Sequence, residues 1–264
     1  TTGLNGYYFI RLTVRTSCGD EDSDVELVYV DGTPASIALE SPAMADVFGG
    51  VVCFKGTAWD QCFDNYAVEY RSVSAGGPFT PVEAAHPQYT TPVPGGDLTI
   101  GGWNTQAPPV PDGEYEVRLS VTDGCTPVST VHRRIVVDNT ATTAEIRSPA
   151  TCSVVTGVVQ ITGTANDANL VGWALQRTDP ESVGWITIAS GTTAVNNDVL
   201  GLLDTNGLEP CSYSIRLIVT DEAQLNCTND AHQSEHVITV DFAGQGLVGD
   251  MNCDGAITVG DIAG

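Results

Sequence analysis

The chain has 264 residues, with 33 Asp or Glu against 10 Lys or Arg, and it contains eight cysteines. The formal net charge of −23 argues against nucleic acid and against an anionic membrane surface as partners, because both repel an acidic protein. No apolar run approaches the roughly 18 residues that a membrane-spanning helix needs, so we expect no membrane insertion. Eight cysteines without a Cys-x-x-Cys pair favour disulfides over zinc, and therefore a secreted, extracellular or cell-surface chain.

One strand pattern recurs along the chain. Three segments share the motif Y-x-x-R-L-x-V, namely GYYFIRLTV (6–14), GEYEVRLSVTD (113–123) and CSYSIRLIVTD (211–221). Two upstream segments also match each other, at 41–60 and 148–167. The first two copies are in register at a spacing of 107 residues, and a period of that length is a whole domain rather than a solenoid unit.

Apolar residues alternate with polar ones in these segments, which predicts β-strands with one buried face. The predicted inward residues are Tyr115, Val117, Leu119, Val121, Tyr213, Ile215, Leu217 and Val219. Tyr8, Tyr115 and Tyr213 begin the penultimate strand of each copy, and Tyr66 and Trp173 occupy the place of a strand-C aromatic. In these features residues 1–243 resemble the bacterial Ig-like repeats of large surface proteins. The resemblance implies an all-β fold of tandem immunoglobulin-like β-sandwiches.

The repeat also sets the predicted domain boundaries. Residues 35–140 and 141–243 each form one Ig-like domain, whereas residues 1–34 hold only the C-terminal part of an incomplete one. Half a sandwich exposes its core, so we expect either preceding residues or strands of another chain to complete it.

Two disulfides are expected from the places that the Ig-like fold gives to the cysteines. Cys62 falls in the B–C loop and Cys125 in the F–G loop, at one end of the sandwich, which predicts a Cys62–Cys125 bond. Cys152, before strand B, and Cys211, before strand F, lie toward the opposite end, which predicts a Cys152–Cys211 bond.

The remaining cysteines are less constrained. A bridge between domains would join Cys53 to Cys227, and the alternative is free or differently paired thiols. Cys18 matches Cys125 in register, so we expect its partner in the absent part of its domain, and Cys253 has no assigned partner.

Acidic residues recur where the linker, the B–C loop and the F–G loop of a sandwich converge. The linker ends VDG (30–32) and VDN (137–139) place an acid between domains. In the first full domain the loops add Asp60, Asp64 and Asp123, and Glu222 follows the F strand of the next. The predicted ligands of an inter-domain calcium ion are Asp138, Asp167, Asn169 and Asp221. The alternative is that these residues serve only the turns, which Asp and Asn favour.

The segment GDMNCDGAITVGDIAG (249–264) has the spacing of a calcium loop. Oxygen ligands fall at loop positions 1, 3, 5, 7, 9 and 12, which are Asp250, Asn252, Asp254, the carbonyl of Ala256, Thr258 and Asp261. Gly255 occupies the sharp turn. An aspartate at position 12 and the lack of a preceding helix resemble a type I dockerin half-repeat. Residues 244–264 are therefore interpreted as a partial dockerin-like segment that binds Ca²⁺.

Motifs for catalysis are missing from the sequence. It has no H-E-x-x-H, G-x-S-x-G or G-x-x-x-x-G-K, and we expect surface roles for His86, His132, His232 and His236. The sequence therefore predicts no enzymatic activity. Trp59, Trp103 and Trp185 could form a sugar-stacking platform, with packing in the core or loops as the alternative.

The leading hypothesis is an extracellular, bacterial structural protein, a calcium-binding Ig-like array that acts as a stiff stalk, filament or surface-layer component. Its partners would be other copies of itself or other surface proteins, with polysaccharide as a further candidate. The alternatives are a spacer and docking region of a secreted carbohydrate-active or cellulosome-like protein, and an adhesin stalk.

Overall fold

The computed structural model describes residues 4–83, 88–96, 98, 102–179, 182–209, 212–225 and 230–242. The chain divides into two compact units, Thr1–Val137 (the first unit) and Asp138–Gly264 (the second unit). Every named element is a β-strand, which confirms the all-β prediction. Among these residues no helix could cross a membrane. The boundary between the units lies close to the predicted one at 140/141, whereas the divisions predicted at 34/35 and 243/244 stay predictions.

Eleven strands lie in the described residues of the first unit. They are β1 (Gly6–Arg15), β2 (Glu21–Val30), β3 (Ser36–Ser41), β4 (Val47–Gly49), β5 (Val51–Val52), β6 (Lys55–Trp59), β7 (Phe63–Ser72), β8 (Thr80–Pro81), β9 (Trp103–Asn104), β10 (Gly113–Asp123) and β11 (Ser129–Val137). One sheet has the order β4-β11-β10-β7-β8, and the antiparallel pairs β3–β6 and β5–β9 lie apart from it. Strand β4 pairs in parallel with β11, and the other strands of this sheet pair antiparallel.

The second unit repeats this plan with longer strands. They are β12 (Thr143–Ser148), β13 (Ser153–Val155), β14 (Val158–Asn166), β15 (Leu170–Asp179), β16 (Ser182–Gly191), β17 (Val195–Asp204), β18 (Ser212–Leu225) and β19 (Asp230–Phe242). Strands β13, β19, β18, β15 and β16 form one sheet, with β13 parallel to β19, and β12, β14 and β17 form the other. Each unit is thus an Ig-like β-sandwich.

The alternation read from the sequence places the predicted side chains in the two cores. All eight predicted inward residues of β10 and β18 are buried, because strand side chains point to opposite faces in turn. Their outward neighbours Arg118 and Arg216 lie on the other face, where Arg118 pairs with Glu69 at 2.5 Å. Tyr66 is fully buried as predicted, but Trp173 is only half-buried and packs at the margin of its core.

Recurrent hydrogen bonds fix the corners of both sandwiches. The hydroxyl of Tyr115 donates to the carbonyl of Pro111 at 2.8 Å, and that of Tyr213 donates to the carbonyl of Glu209 at 3.1 Å. Each bond ties the start of the penultimate strand to the preceding loop, as in a tyrosine corner.

The N-terminal hairpin of β1 and β2 presents the same motif without a second sheet over it. Ile10, Leu12 and Val14 are 57%, 66% and 58% exposed, whereas their counterparts Val117, Leu119 and Val121 are fully buried. The hairpin runs in register from Gly6 opposite Val30 to Arg15 opposite Glu21. Its apolar face is therefore a sandwich face that remains in solvent.

Candidate cation sites

Three aspartates of the second unit come together at one end of its sandwich. Asp138 follows β11, Asp167 follows β14, and Asp221 lies within β18. One carboxylate oxygen of each lies within 4.8 Å of the others. These are three of the four residues that the sequence predicted as calcium ligands, and all three belong to the second unit. We call them the Asp138 cluster.

Short hydrogen bonds hold the cluster in place. The backbone N–H of Asn169 donates to Oδ1 of Asp167 at 2.8 Å, which closes the turn between β14 and β15. The side chain of Asn169, the fourth predicted residue, donates through Nδ2 to Oδ2 of Asp138 at 2.5 Å. The N–H of Thr140 donates to Oδ1 of Asp138 at 3.1 Å. Asn169 thus orients the carboxylate of Asp138.

A bulge in β18 carries Asp221 into the cluster. Thr220 pairs with Gln233 and Gln224 pairs with Ala231, so three residues of β18 oppose the single residue His232 of β19. Asp221 is completely buried, and its Oδ1 accepts a hydrogen bond from the N–H of Ala223 at 2.9 Å. Its Oδ2 has no hydrogen-bond partner and lies 3.3 Å from Nδ1 of His232, which also has none.

The electrostatics of the cluster follow from burial and like charge. Burial, together with the neighbouring carboxylates of Asp167 and Asp138, raises the pKa of Asp221 to about 6. The N–H of Ala223 and the imidazole of His232 act in the opposite direction. Burying one carboxylate beside two others is unfavourable, and a bound cation would offset the repulsion among them.

The first unit carries an equivalent cluster. Asp31 and Asp60 lie 107 residues before Asp138 and Asp167, and oxygens of both lie within 4.8 Å of each other and of the sulfur of Cys62. The N–H of Cys62 donates to Oδ1 of Asp60 at 2.8 Å, as that of Asn169 does to Asp167. Burial raises the pKa of Asp60, and the carboxylates of Asp31 and Asp123 add to the effect.

Asp123, the counterpart of Asp221, differs because both of its oxygens have partners. Its Oδ1 accepts from the N–H groups of Cys125 and Thr126, and its Oδ2 accepts from the hydroxyl of Thr126 at 2.5 Å. Burial opposes ionisation, but the hydrogen bonds from Thr126 and Cys125 outweigh it and hold the pKa of Asp123 below its usual value.

The predicted Cys62–Cys125 pair meets as thiols. Both cysteines are free, and the hydrogen bond that the Cys62 thiol makes to Cys125, with burial, raises the pKa of Cys62 to about 12. The structure therefore brings the two side chains together, and the bond itself stays a prediction.

The partners predicted for the other cysteines lie outside the described residues. Cys152 is an exposed free thiol in a turn with φ of 60°, and its bond to Cys211 stays a prediction. The N–H of Cys152 donates to the carbonyl of Thr239 at 2.7 Å, so the backbone of this turn is anchored on β19. Cys53 is disulfide-bonded. Cys211, Cys227 and Cys253 lie outside the described residues, so the Cys53–Cys227 pair stays a prediction.

Several other sequence-based expectations fall outside these clusters. The calcium loop of Asp250, Asn252, Asp254, Ala256, Thr258 and Asp261 lies outside the described residues. Asp64 and Glu222 are exposed and do not join the clusters. Trp103 is buried and stacks on Tyr70 at a ring-centroid distance of 4.2 Å, which removes it from a sugar-binding surface.

Sequence reasoning missed the parts played by His232 and Thr126. Thr126 follows Asp123 by three residues, a spacing at which a hydroxyl can bond back to the carboxylate, so its role carried a local signal. The pairing of β18 with β19 brings His232 close to Asp221, and no pattern in the local sequence predicts that contact.

No family model and no curated protein matches the sequence. Similar solved structures include a tetra-tandem repeat in the extending region of a large adhesion protein, 16% identical, with 90% of this chain and 57% of that chain covered and a TM-score of 0.34. Domains from titin are 13% identical, with 90% and 73% covered and a TM-score of 0.41. The chicken CNTN1 FN1-FN3 domains are 11% identical, with 90% and 75% covered and a TM-score of 0.35. At these identities the likeness concerns the fold alone.

Proposed function

We propose that this chain is part of a secreted, non-enzymatic structural protein, a calcium-binding Ig-like repeat array that serves as a stalk, filament or surface-layer component. Its partners are other copies of itself or other surface proteins outside the cell. This role rests on the fold and on the acidic clusters together, because an Ig-like fold alone hosts many functions.

The observation that carries the proposal is the repetition of one acidic cluster at the same place in two successive sandwiches. In the first unit, Asp31 of the linker lies within 4.8 Å of Asp60, which follows β6. In the second unit, Asp138 of the linker lies within 4.8 Å of Asp167, which follows β14. Turn formation alone explains single aspartates, but it does not explain why buried carboxylates converge. A divalent cation at such a position would tie separate segments of a repeat together.

Ca²⁺ is the cation that these ligands favour. Calcium takes six to eight oxygen ligands in flexible geometry, and carboxylates and carbonyls are its usual donors in proteins. The loop at 250–261 has the same chemistry in its sequence, so the array would carry calcium both within a repeat and at its C-terminal segment. The net charge of −23 gives the chain a general attraction for divalent cations.

Electron microscopy of the native material, with calcium and then with EDTA, tests the role. Regular filaments or layers that fray when EDTA removes calcium would support a calcium-dependent structural array. Dispersed particles that do not change with EDTA would contradict it.

A docking role is the second candidate, and the dockerin-like spacing at 250–261 favours it. The chain would then be the spacer of a carbohydrate-active protein, and the C-terminal segment would attach that protein to a scaffold. Calcium-dependent capture of this chain by a purified scaffold protein, abolished by Asp254→Asn, would support docking over assembly.

A further inference from the structure

We propose that the second unit binds one Ca²⁺ internally, through Asp138, Asp167 and Asp221, whereas the first unit closes its equivalent site with the hydroxyl of Thr126. The inference rests on the proposed calcium-binding role and specifies where the ion binds, how many bind, and which residue decides between the repeats.

The spacing of the ligand atoms fits one calcium ion. Calcium–oxygen distances are about 2.4 Å, so two ligands on opposite sides of an ion lie about 4.8 Å apart. Oxygens from Asp138, Asp167 and Asp221 all lie within 4.8 Å of one another. They come from the linker, the β14–β15 turn and the bulge of β18, so one ion would join three separate segments of the second unit.

The second and independent observation is the unpaired oxygen of Asp221. This side chain is completely buried, yet its Oδ2 accepts no hydrogen bond. Native proteins give buried carboxylate oxygens hydrogen bonds, cationic partners or metal ions. Nδ1 of His232 lies 3.3 Å from Oδ2 and also lacks a hydrogen bond, and it forms an ion pair with Asp221 only when the imidazole is protonated. A cation at the cluster would satisfy the carboxylate.

The first unit shows what happens when a protein group takes that place. The hydroxyl of Thr126 donates to Oδ2 of Asp123, and two N–H groups donate to Oδ1, so the carboxylate corresponding to Asp221 is already satisfied. Cys62 further replaces the amide of Asn169 with a thiol, which is a poor ligand for a hard cation. Within the part of the chain that the structure describes, one internal calcium site is therefore expected rather than two.

Calorimetric titration of the full chain with CaCl₂ tests the inference. We expect Asp221→Asn and Asp167→Asn each to remove one binding event or to raise its dissociation constant at least tenfold. Asp60→Asn is the matched control in the first unit and is expected to leave the titration unchanged. Asp254→Asn reports the C-terminal loop separately. Circular dichroism of each variant establishes that it is folded, and Asp167→Asn provides the test if Asp221→Asn does not fold.

The outcomes separate this inference from the proposed function. If Asp254→Asn alone abolishes binding while Asp167→Asn and Asp221→Asn bind as the wild type does, the internal site is overturned and the calcium-dependent array survives. An equal loss on Asp60→Asn would overturn the distinction between the repeats. If Asp167→Asn no longer binds its ion but EDTA does not change the assemblies, the internal site is supported and the proposed structural role is contradicted.

Discussion

The hydroxyl of Thr126 makes the main difference between the two acidic clusters. Thr126 donates to Asp123 in the first unit, and Asp221 in the second unit has no equivalent donor at Oδ2. The pKa of Asp123 is accordingly below its usual value, whereas that of Asp221 is raised to about 6. The same residue type at the same structural position thus has opposite preferences for charge.

Replacing Thr126 with valine tests this account of Asp123. We expect a loss of about 1–3 kcal/mol from the free energy of unfolding of the first unit at pH 7, because a buried carboxylate loses a hydrogen bond without gaining water. Urea unfolding measures the change. Thr91→Val, at an exposed position, is the matched control and should cost less than about 0.5 kcal/mol. A Thr126 variant as stable as this control would contradict the account.

The pH dependence of that variant gives a second prediction. The pKa of Asp123 is lower in the folded than in the unfolded chain, so its contribution is present above the unfolded pKa of about 3.9 and is lost as pH falls through the folded pKa. Without the hydroxyl, the folded pKa rises and the contribution shrinks. We therefore expect the wild type and Thr126→Val to differ in urea midpoint at pH 7 and to converge as the pH falls through the folded pKa of Asp123 in the wild type. A difference that is constant with pH would point to packing instead.

The candidate site was partly predictable because its acidic residues recur at fixed places in the repeat. The expectation that Asp138, Asp167 and Asp221 lie together follows from their places in the repeat and from the Ig-like sandwich that the repeat resembles, because the linker and two loops meet at one end of such a sandwich. The hydrogen-bonding state of Asp221 could not be predicted, because it depends on a bulge that sets His232 opposite it. The positions of residues in the repeat therefore predict which side chains come close together. The register between paired strands decides which of their polar atoms lack a hydrogen bond.

Two glycines at the same place in the repeat allow paired strands to approach each other closely. A Cβ on Gly56 would lie 2.1 Å from the carbonyl oxygen of Ala38, and one on Gly163 would lie 2.0 Å from that of Glu145. The two glycines lie 107 residues apart, in the β3–β6 and β12–β14 pairs. The close approach is therefore part of the repeat.

Gly56→Ala and Gly163→Ala should each destabilise one unit only. Because the clash is with backbone, which cannot move aside cheaply, we expect each change to cost about 3 kcal/mol or more. Thermal unfolding followed by calorimetry would show one transition lowered and the other unchanged. Gly124→Ala is the control, since a Cβ there meets nothing within 4 Å. Equal effects of Gly56→Ala and Gly124→Ala would argue against a steric cause.

The fold itself was largely predictable, because strands of ten or more residues with strict alternation leave little choice of buried face. Tyr66 illustrates the success and Trp173 its limit. Both hold the same position in the repeat, but Trp173 is only half-buried and its Nε1 donates to the carbonyl of Thr193 at 2.9 Å. The residue two positions later is buried in both units, as Val68 and Leu175. Repeat position therefore specifies the strand and its inward face, whereas tertiary packing decides how deeply each aromatic side chain lies.

Oxidation of the two thiols at the end of the first sandwich gives a further prediction. An oxidant such as oxidised glutathione would form the Cys62–Cys125 bond and release two thiols of reduced glutathione. Cross-linking so long a loop should add about 2–4 kcal/mol to the stability of the first unit. Peptide mapping without reduction detects the bond, and Cys125→Ser is the control. Because the pKa of Cys62 is about 12, we expect faster formation at higher pH.

The excess of acidic residues affects the stability of the whole molecule, because the chain has 33 acidic and only 10 basic residues. A net charge of −23 destabilises the compact state through self-repulsion, and salt weakens that repulsion. Sodium chloride should therefore raise the unfolding temperature of both units in a similar way. Calcium bound at the proposed site would add a local term to this general one, because a ligand that binds only the folded state stabilises it further.

Calcium and sodium chloride compared at equal ionic strength separate the two terms. We expect 1 mM CaCl₂ to raise the transition of the second unit above its value in matched sodium chloride, and to leave that of the first unit at the sodium chloride value. The variants Gly56→Ala and Gly163→Ala assign the two calorimetric transitions. Since stabilisation by a ligand present at about 100 times its dissociation constant is about 2.7 kcal/mol, the shift should amount to several degrees. Asp167→Asn should abolish it. Equal shifts of both transitions by calcium would mean that the ion acts through overall charge. The aspartates of the acidic clusters would then serve only to stabilise turns.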